Sequence, residues 1–357
     1  MEDTVRYGII GTGMMGHEHI RNLALLPGAE VVAISDPESS SRWWARQLLE
    51  GVEIEEYTDH RDLLRKAPVD AVVVASPNHT HRAVLEDIFA SAGGKHVLVE
   101  KPLCTTVEDA RTVAERAERH AGVVWVGMEY RYMPPLARLL DEVRGGTIGK
   151  LRMLAIREHR YPFLPKVGDW NRFSRNTGGT FVEKCCHFFD LMRLISDSEP
   201  VRVYASAGQD VNHLDEKYDG ETPDILDNGF VVVDFESGVR GLLDLCMFAE
   251  ASRNEQEISA TGDAGKVECF IPESKLVVGR RNPRSVEEQE VDVDARTLAA
   301  GAHHGSTFVE HQEFRKAILS GSPPAVSAVD GLRAVEMGVA AERSAVEGRA
   351  VEMTDLI

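Results

Sequence analysis

The stretch Val5-Arg6-Tyr7-Gly8-Ile9-Ile10-Gly11-Thr12-Gly13-Met14-Met15-Gly16 runs from a short apolar, β-branched segment into a glycine loop, and an amphipathic stretch follows it. GxGxxG is a weak signal on its own, because glycines are common in turns. Placed between a strand and a helix it gains a physical meaning. Gly11 permits the tight turn, Gly13 lets the backbone approach a pyrophosphate, and Gly16 allows the helix to pack close to the strand. Thr12, Met14 and Met15 complete the loop, and the helix N-terminus offers unpaired N–H groups and a favourable dipole to an anion. Asp36 stands twenty positions beyond Gly16, at the end of the next expected strand. A carboxylate there accepts hydrogen bonds from ribose hydroxyls and repels a 2′-phosphate, so NAD is the expected dinucleotide. Arg42, on the following helix, leaves NADP open. The plain alternative is that Asp36 only caps the turn before Pro37.

Outward from this loop, the first third of the chain alternates short β-branched runs with longer amphipathic stretches, the pattern of a parallel α/β unit. Strands are expected at Val5–Ile10, Glu30–Ser35, Val69–Ala75, His96–Val99 and Val123–Met128. Their nearly continuous apolar character marks them as covered on both faces. Helices are expected at Glu18–Leu26, Ser41–Leu49, Asp59–Arg65, Arg82–Ala90 and Val107–His120. The last carries a capping box from Thr105 to Glu108. After Pro134 the pattern changes: a helix at Leu136–Val143 ends at Gly145-Gly146, and longer alternating strands follow. These are Leu151–His159, Val201–Ala207, Phe230–Phe235, Arg240–Cys246, Glu257–Thr261, Lys266–Phe270 and Leu276–Val278. They predict a mostly antiparallel sheet, open on one face, with helices near Thr180–Ile195, Thr307–Leu319 and Ala328–Val346. The expected fold is α/β, with a doubly wound parallel Rossmann sheet in an N-terminal domain (residues 1–128). A C-terminal α+β domain (residues 129–357) carries the open, mostly antiparallel sheet.

Composition narrows the function classes. The chain has 357 residues, 43% of them apolar and 27% charged, with a formal net charge of −18. Its length exceeds what one core usually supports. The acid excess argues against nucleic acid, whose phosphates are held by basic patches, and equally against an anionic membrane surface. No apolar run reaches the roughly 18 residues of a spanning helix, and Met1-Glu2-Asp3 does not follow the plan of a signal peptide. The five cysteines are odd in number and show no CxxC spacing, so no disulfide framework is indicated. A cytoplasmic protein is expected.

In an open α/β sheet, ligands bind beyond the carboxyl ends of the strands. Two expected strand ends carry unusual chemistry: Ser76-Pro77-Asn78-His79-Thr80-His81 and Glu100-Lys101-Pro102. The first contains an HxH pair, but zinc needs further ligands of suitable spacing. Capping and cofactor contacts through Ser76, Asn78 and His81 account for it better, and no metal is expected. Lys101 follows the buried run Val97-Leu98-Val99, unlike a surface lysine paired with Glu100. Beside a cationic nicotinamide its pKa would fall, which suits proton transfer. Further along, Glu183, His187 and Asp190 are spaced i, i+4, i+7, which predicts one helix face, and Gly178-Gly179 upstream permits close approach of a ligand. His187 alone would read as a core histidine; its neighbours favour catalysis. Zinc held by Glu183, Cys185, Cys186 and His187 is disfavoured, because adjacent helical cysteines point about 100° apart. Phe188, Phe189, Leu191, Met192 and Leu194 read as core.

Taken in order, GIIGTGMMG, ASPNHTH, VLVEKPL, EYRYMPP and GGTFVEKCCHFFDL resemble the glucose–fructose oxidoreductase, inositol dehydrogenase and MocA-type (Gfo/Idh/MocA) oxidoreductases over essentially the whole chain. The resemblance implies a second domain whose open sheet mediates homodimers or homotetramers, with Lys101 beside the nicotinamide. It matches His187 to the catalytic histidine and Asp190 to a structural position. Glu183 stands where the family usually has aspartate, and Glu129 where it often has an amide. Arg131 and Tyr132 match a family segment, and Arg157, His159, Trp170 and His304 join them as candidates for substrate hydroxyls. Ser306, after His303-His304-Gly305, is expected to cap a helix. The implied function is hydride transfer between NAD and a carbinol carbon of a sugar, inositol or related polyol. His187 would then act as base, Lys101 would stabilise the oxyanion, and Glu183 would orient one of them. Two rivals are an NAD-dependent glycoside hydrolase of the same fold and a non-catalytic nicotinamide-sensing protein.

Overall fold

Strands built almost wholly of Val, Ile, Leu and Ala alternate with helices up to Gly127, and they pair in parallel because each returns to the sheet through a helix. The computed structural model describes residues 4–356. Six strands, β1 (Val5–Ile10), β2 (Ala29–Ser35), β3 (Glu55–Tyr57), β4 (Ala71–Val74), β5 (His96–Glu100) and β6 (Val124–Gly127), form one sheet in the order β3-β2-β1-β4-β5-β6. This is the doubly wound order, with the chain reversing direction across the sheet after β3. All registered pairs in this sheet are parallel.

By compactness the chain forms two units. One comprises the chain up to Glu129 together with Lys166–Gly168 and Asp294–Val335; the other comprises Tyr130–Pro165, Asp169–Val293 and the chain from Glu336 onward. A division at 128/129 does not anticipate the return of Asp294–Val335 to the first unit. The contacts that recruit it are specific. Trp125 Nε1 donates to Glu310 Oε1 at 3.2 Å, Val126 N–H donates to the Val326 carbonyl at 3.1 Å, and the Phe314 ring packs against Tyr7 and Trp125. Hydrophobic periodicity identifies the helix Ser306–Ser320. It does not say which sheet that helix covers.

The second unit is built on nine strands: β7 (Leu151–His159), β8 (Pro200–Gly208), β9 (Asn228–Phe235), β10 (Arg240–Cys246), β11 (Gln256–Gly262), β12 (Gly265–Ile271), β13 (Lys275–Arg281), β14 (Arg284–Glu290) and β15 (Val351–Glu352). Their order is β14-β13-β12-β11-β7-β10-β9-β8-β15. Every pair is antiparallel except β7 with β10. Alternation along the strands sends Leu154, Ile156, Val203, Val231, Val233, Leu243 and Leu245 into a core with Phe181, Phe188, Phe189 and Met192. The opposite face leaves Met153, Tyr204, Phe230, Val232 and Leu242 exposed.

Several local expectations change. The stretch Thr180–Ile195 is not one helix but Thr180–Glu183 and Cys186–Ser196, parted at Lys184-Cys185. There the Cys185 N–H reaches back five residues to the Thr180 carbonyl at 3.4 Å, a widened turn. Glu183 and His187 therefore lie on different helical pieces, while His187 and Asp190 share one. Gly179, at φ +96°, precedes the first piece, where a Cβ would fall 2.3 Å from Glu342 Oε1. That carboxylate accepts the Phe181 N–H at 2.8 Å, supplying the cap that glycine cannot. The cap of Val107–Ala117 is Thr106, accepting from Asp109 N–H, rather than Thr105. Ser306 is the first helical residue, not the cap; Gly305 takes that position and Ser306 Oγ donates to the His303 carbonyl. β3, β14 and β15 carry too few apolar residues to be seen in the pattern, and the six-residue helix Ala295–Ala300 is too short to show a period.

Candidate active site

At the carboxyl end of β1, Gly11 takes φ +91°, and a Cβ on it would lie 2.4 Å from the Ser76 backbone nitrogen. Gly16 is equally constrained, since its Cβ would stand 2.2 Å from the Gly11 carbonyl oxygen. Gly13 is different: nothing lies within 4 Å of where its Cβ would be. It precedes the helix Met14–Leu25 and gives it no side-chain cap. Met14 is exposed, Met15 half-buried and Thr12 buried. The Asp36 carboxylate accepts the Thr12 N–H at 2.7 Å and the Glu38 N–H at 2.8 Å, so it stands at the mouth of the loop. Arg42 is turned back onto the carbonyls of Asp36 and Pro37. Thr12 Oγ1 and Asn78 Nδ2 are buried and lack a partner among the described residues. An open glycine flank, an uncapped helix N-terminus, a carboxylate and two unused polar atoms fit a dinucleotide held by its phosphates and ribose.

Ser76 and Asn78 follow β4; the Ser76 hydroxyl lies 2.7 Å from that of Thr80. His81 is fully buried behind this loop, with Nδ1 2.8 Å from the Pro102 carbonyl and Nε2 3.0 Å from that of Ser76. It ties two strand ends together and is not itself exposed to a ligand. Burial lowers its pKa, which keeps it neutral at pH 7. Lys101 is half-buried, at the end of β5 and before a cis peptide bond to Pro102. Its N–H donates to Glu100 Oε2 at 3.2 Å. Glu100 Oε1 lies 2.9 Å from His19 Nε2, and His19 Nδ1 lies 2.9 Å from His311 Nε2. Burial is the largest influence on Glu100 and opposes its ionisation, but the bond and charge of His19 together with Lys101 and His303 outweigh it, and the carboxyl sits below its usual range. His303 spans two further carboxylates, 2.8 Å from Glu18 and 3.7 Å from Glu129. Burial pushes the Glu129 carboxyl up to about 7, with the Glu100 charge adding to it and His303 and Lys101 opposing. This buried array of Glu18, His19, Glu129, His303 and His311 was missed from the sequence. The available signal was the run of polar residues on an otherwise core-facing helix, His17-Glu18-His19.

In the second unit His187 is buried and lies flat on Tyr130, with ring centroids 4.0 Å apart and planes at 6°. Glu183 is buried as well, at the end of the short piece Thr180–Glu183. Asp190 takes a two-pronged bond from Arg131, whose Nε donates at 2.6 Å. Arg131 is thus committed to holding the helix Cys186–Ser196. Arg157 and His159 alternate with Glu158 along β7. They lie on the open face of the sheet, paired with Glu257 and Asp244, not on the face that carries His187. Tyr132 ends the 3-10 turn Glu129–Tyr132, and Trp170, half-buried, accepts a bond from Asn176 at its carbonyl. His304 takes a left-handed backbone, φ +54°, in the loop before the helix Ser306–Ser320.

Residues 5–128 match the model of an oxidoreductase family's NAD-binding Rossmann fold, and residues 141–353 match the same family's C-terminal alpha/beta domain. The chain belongs to the Gfo/Idh/MocA oxidoreductase family. It is 30% identical to a myo-inositol 2-dehydrogenase of Thermotoga maritima, covering 99% of this chain and all of that one. It is also 30% identical to an inositol 2-dehydrogenase of Saccharopolyspora erythraea, covering 98% and 96% of the two chains. Among solved structures it superimposes on a probable dehydrogenase from Thermotoga maritima with TM-score 0.81 at 30% identity over 99% of this chain and 100% of that one. A scyllo-inositol dehydrogenase from Lactobacillus casei, solved with NAD(H) and scyllo-inositol, shares the fold with TM-score 0.78 at 23% identity, over 98% and 99% of the chains. As a family member the protein is an NAD-dependent oxidoreductase. Among the described residues no helix is long and apolar enough to cross a membrane.

The open flank at Gly13 predicts a separation of stability from binding. Gly13→Ala should leave thermal unfolding nearly unchanged and weaken NAD binding at least tenfold by calorimetry; equal losses in both would contradict the assignment. Glu129 supplies a pH signature. Its folded carboxyl keeps a proton to about pH 7 while the unfolded chain releases it near 4.5. The neutral form therefore stabilises fully below pH 4.5, and this contribution, up to about 3 kcal/mol, is lost as pH rises towards and through 7. Glu129→Gln should flatten the fall in melting temperature between pH 5 and 8, measured against the parent protein, in which Glu342 titrates in the same range.

Proposed function

We propose that the enzyme oxidises a secondary carbinol of inositol or a closely related polyol or sugar. The observation that carries this substrate class is the match, over nearly the full length, to inositol dehydrogenases of two organisms at 30% identity. When bound, NAD supplies the hydride acceptor. His187 removes the hydroxyl proton as base, and Lys101 stabilises the developing oxyanion and helps relay the proton. Glu183 tunes or orients one of these groups; its extra methylene relative to aspartate is a property of this chain. Gly11, Thr12, Gly13, Met14, Met15 and Gly16 hold the phosphates through backbone N–H groups, Asp36 takes the ribose, and Ser76 and Asn78 line the adjoining strand end. Tyr132, Trp170 and His304 are assigned to substrate hydroxyls. The five free cysteines suit a reducing compartment, the cytoplasm.

The reading includes a homodimer or homotetramer formed through the open face of the nine-stranded sheet. Tyr204, Val232 and Leu242 lie side by side there, Val232 pairing in register with Tyr204 on β8 and with Leu242 on β10, and all are exposed. Such a row costs solvation free energy that a second copy would recover.

Two measurements test these statements. NAD incubated with a panel of inositols, aldoses and alditols should give NADH absorbance with at least one inositol-type substrate. Lys101→Ala and His187→Ala should lower kcat by about 10²–10⁴-fold while leaving the NAD dissociation constant in place; a variant with full turnover would remove that residue's role. Light scattering on the purified protein should return a dimer or tetramer that Val232→Glu shifts towards monomer, and a monomeric parent protein would sink the assembly.

A further inference from the structure

Four charged or phenolic groups are buried together in the second unit, and none is accounted for by the assignments above. Lys184 lies at the break between the two helical pieces and is 4% exposed. Its ammonium is 2.8 Å from Glu158 Oε1 and donates to Tyr130 Oη at 2.7 Å. Arg160 stands 3.5 Å from the same Glu158 oxygen. Burial disfavours the Arg160 charge, but Glu158, with Tyr130, Glu255 and Tyr161, more than restores it, so the guanidinium stays ionised. Glu158 itself is 0% exposed, on the face of β7 opposite Arg157.

Taking such charges out of water costs several kcal/mol per ion, and a well-packed apolar substitute is often as stable or more so. Lys184 lies against the Phe188 ring, and the core of the same unit is built from side chains such as Phe181, Phe189 and Leu191, so an apolar solution was available. Stability does not explain the cluster. Its geometric effect is to fix the far end of one ring: the Tyr130 axis is set by its backbone at one end and by the Lys184 bond at the other. Rotation about that axis is restrained by Phe188, packed edge-wise with centroids 5.8 Å apart at 65°, and by the parallel imidazole of His187.

We propose that Tyr130 is the positioning residue of His187, holding the imidazole plane by stacking, and that Lys184, clamped by Glu158, which Arg160 in turn braces, holds Tyr130. A general base must present its ring nitrogen within hydrogen-bond reach of one proton, and a misplacement of about 1 Å costs roughly 10²-fold in rate. The stacked ring restricts the imidazole to one plane. The inference rests on the reading of His187 as the base, and it adds four residues that serve it without touching substrate.

The test uses the full-length protein and three variants. Tyr130→Phe keeps the stack and loses the lysine bond; Tyr130→Leu loses both. Lys184→Met leaves Glu158 without its ammonium partner and risks misfolding, so Lys184→Met/Glu158→Gln replaces it if the single variant is unstable. Expected are a kcat lowered only a few-fold by Tyr130→Phe and by the lysine change, and roughly 10²-fold by Tyr130→Leu, with the polyol KM and the NAD dissociation constant within about twofold of the parent. In histidine-labelled protein, the His187 ring signals should keep their ring-current shift in Tyr130→Phe and lose it, with broadening, in Tyr130→Leu. Unchanged His187 signals in Tyr130→Leu overturn the proposal, as does a loss confined to KM. If His187→Ala proved fully active, the assignment of the base would fall, while the ring signals would still decide whether Tyr130 holds that imidazole.

Discussion

One close contact governs the cofactor end of the first unit: the Gly16 backbone lies directly against the Gly11 carbonyl, in space where a Cβ would sit 2.2 Å from oxygen. With no side chain at either position, the helix Met14–Leu25 begins immediately beyond β1, and its free N–H groups open onto the flank left clear at Gly13. The same turn brings Gly11 up to the backbone of Ser76, so the loop after β4 is placed by the loop after β1. His81 then joins the Ser76 loop to Pro102, next to Lys101. The position of the lysine is thus inherited through contacts that begin at two glycines and end on the His81 ring.

Much of this was legible in the sequence because the features that carry it are local. GxGxxG, Asp36 and the apolar strand before Lys101 each report on their own few residues, and the parallel sheet, apart from β3, follows from alternation of strand and helix. The apolar and polar alternation of β7 and β10 gave their limits to the residue. What was not legible depends on pairing at long range. The two-pronged bond of Arg131 to Asp190 and the seating of Arg157 opposite Glu257 turn candidate ligands into structural ions. Nothing in their immediate neighbours announces it. The break at Lys184-Cys185 escaped for a related reason. The 3.6-residue periodicity of Thr180–Ile195 survives a widened turn, so the pattern looks continuous where the hydrogen-bond ladder is not.

The buried charges divide into two kinds. Around Lys101, Glu100 is held ionised by His19, while Glu129, as fully buried, is held neutral to about pH 7. Two carboxyls in one unit, differing in their nearest imidazole distance, have been driven apart in affinity for a proton. Around Tyr130 the charges instead sit in fixed ionic contact. The first set keeps one carboxyl ionised and the other protonated to about pH 7, and the second is fixed as ion pairs.

The return of Asp294–Val335 to the first unit has a consequence for how the chain is made. Tyr7, His19, Trp125 and Val126 lie in strands and a helix that leave the ribosome early, yet the partners that cover them, Glu310, His311, Phe314 and Val326, are translated near the end. Domains usually complete themselves in order of synthesis. Here the nucleotide-binding half must wait with an unsealed side while the whole nine-stranded sheet apart from β15 is being produced. The half that begins first therefore stays incomplete until all but the closing helix and edge strand of the other half has been made.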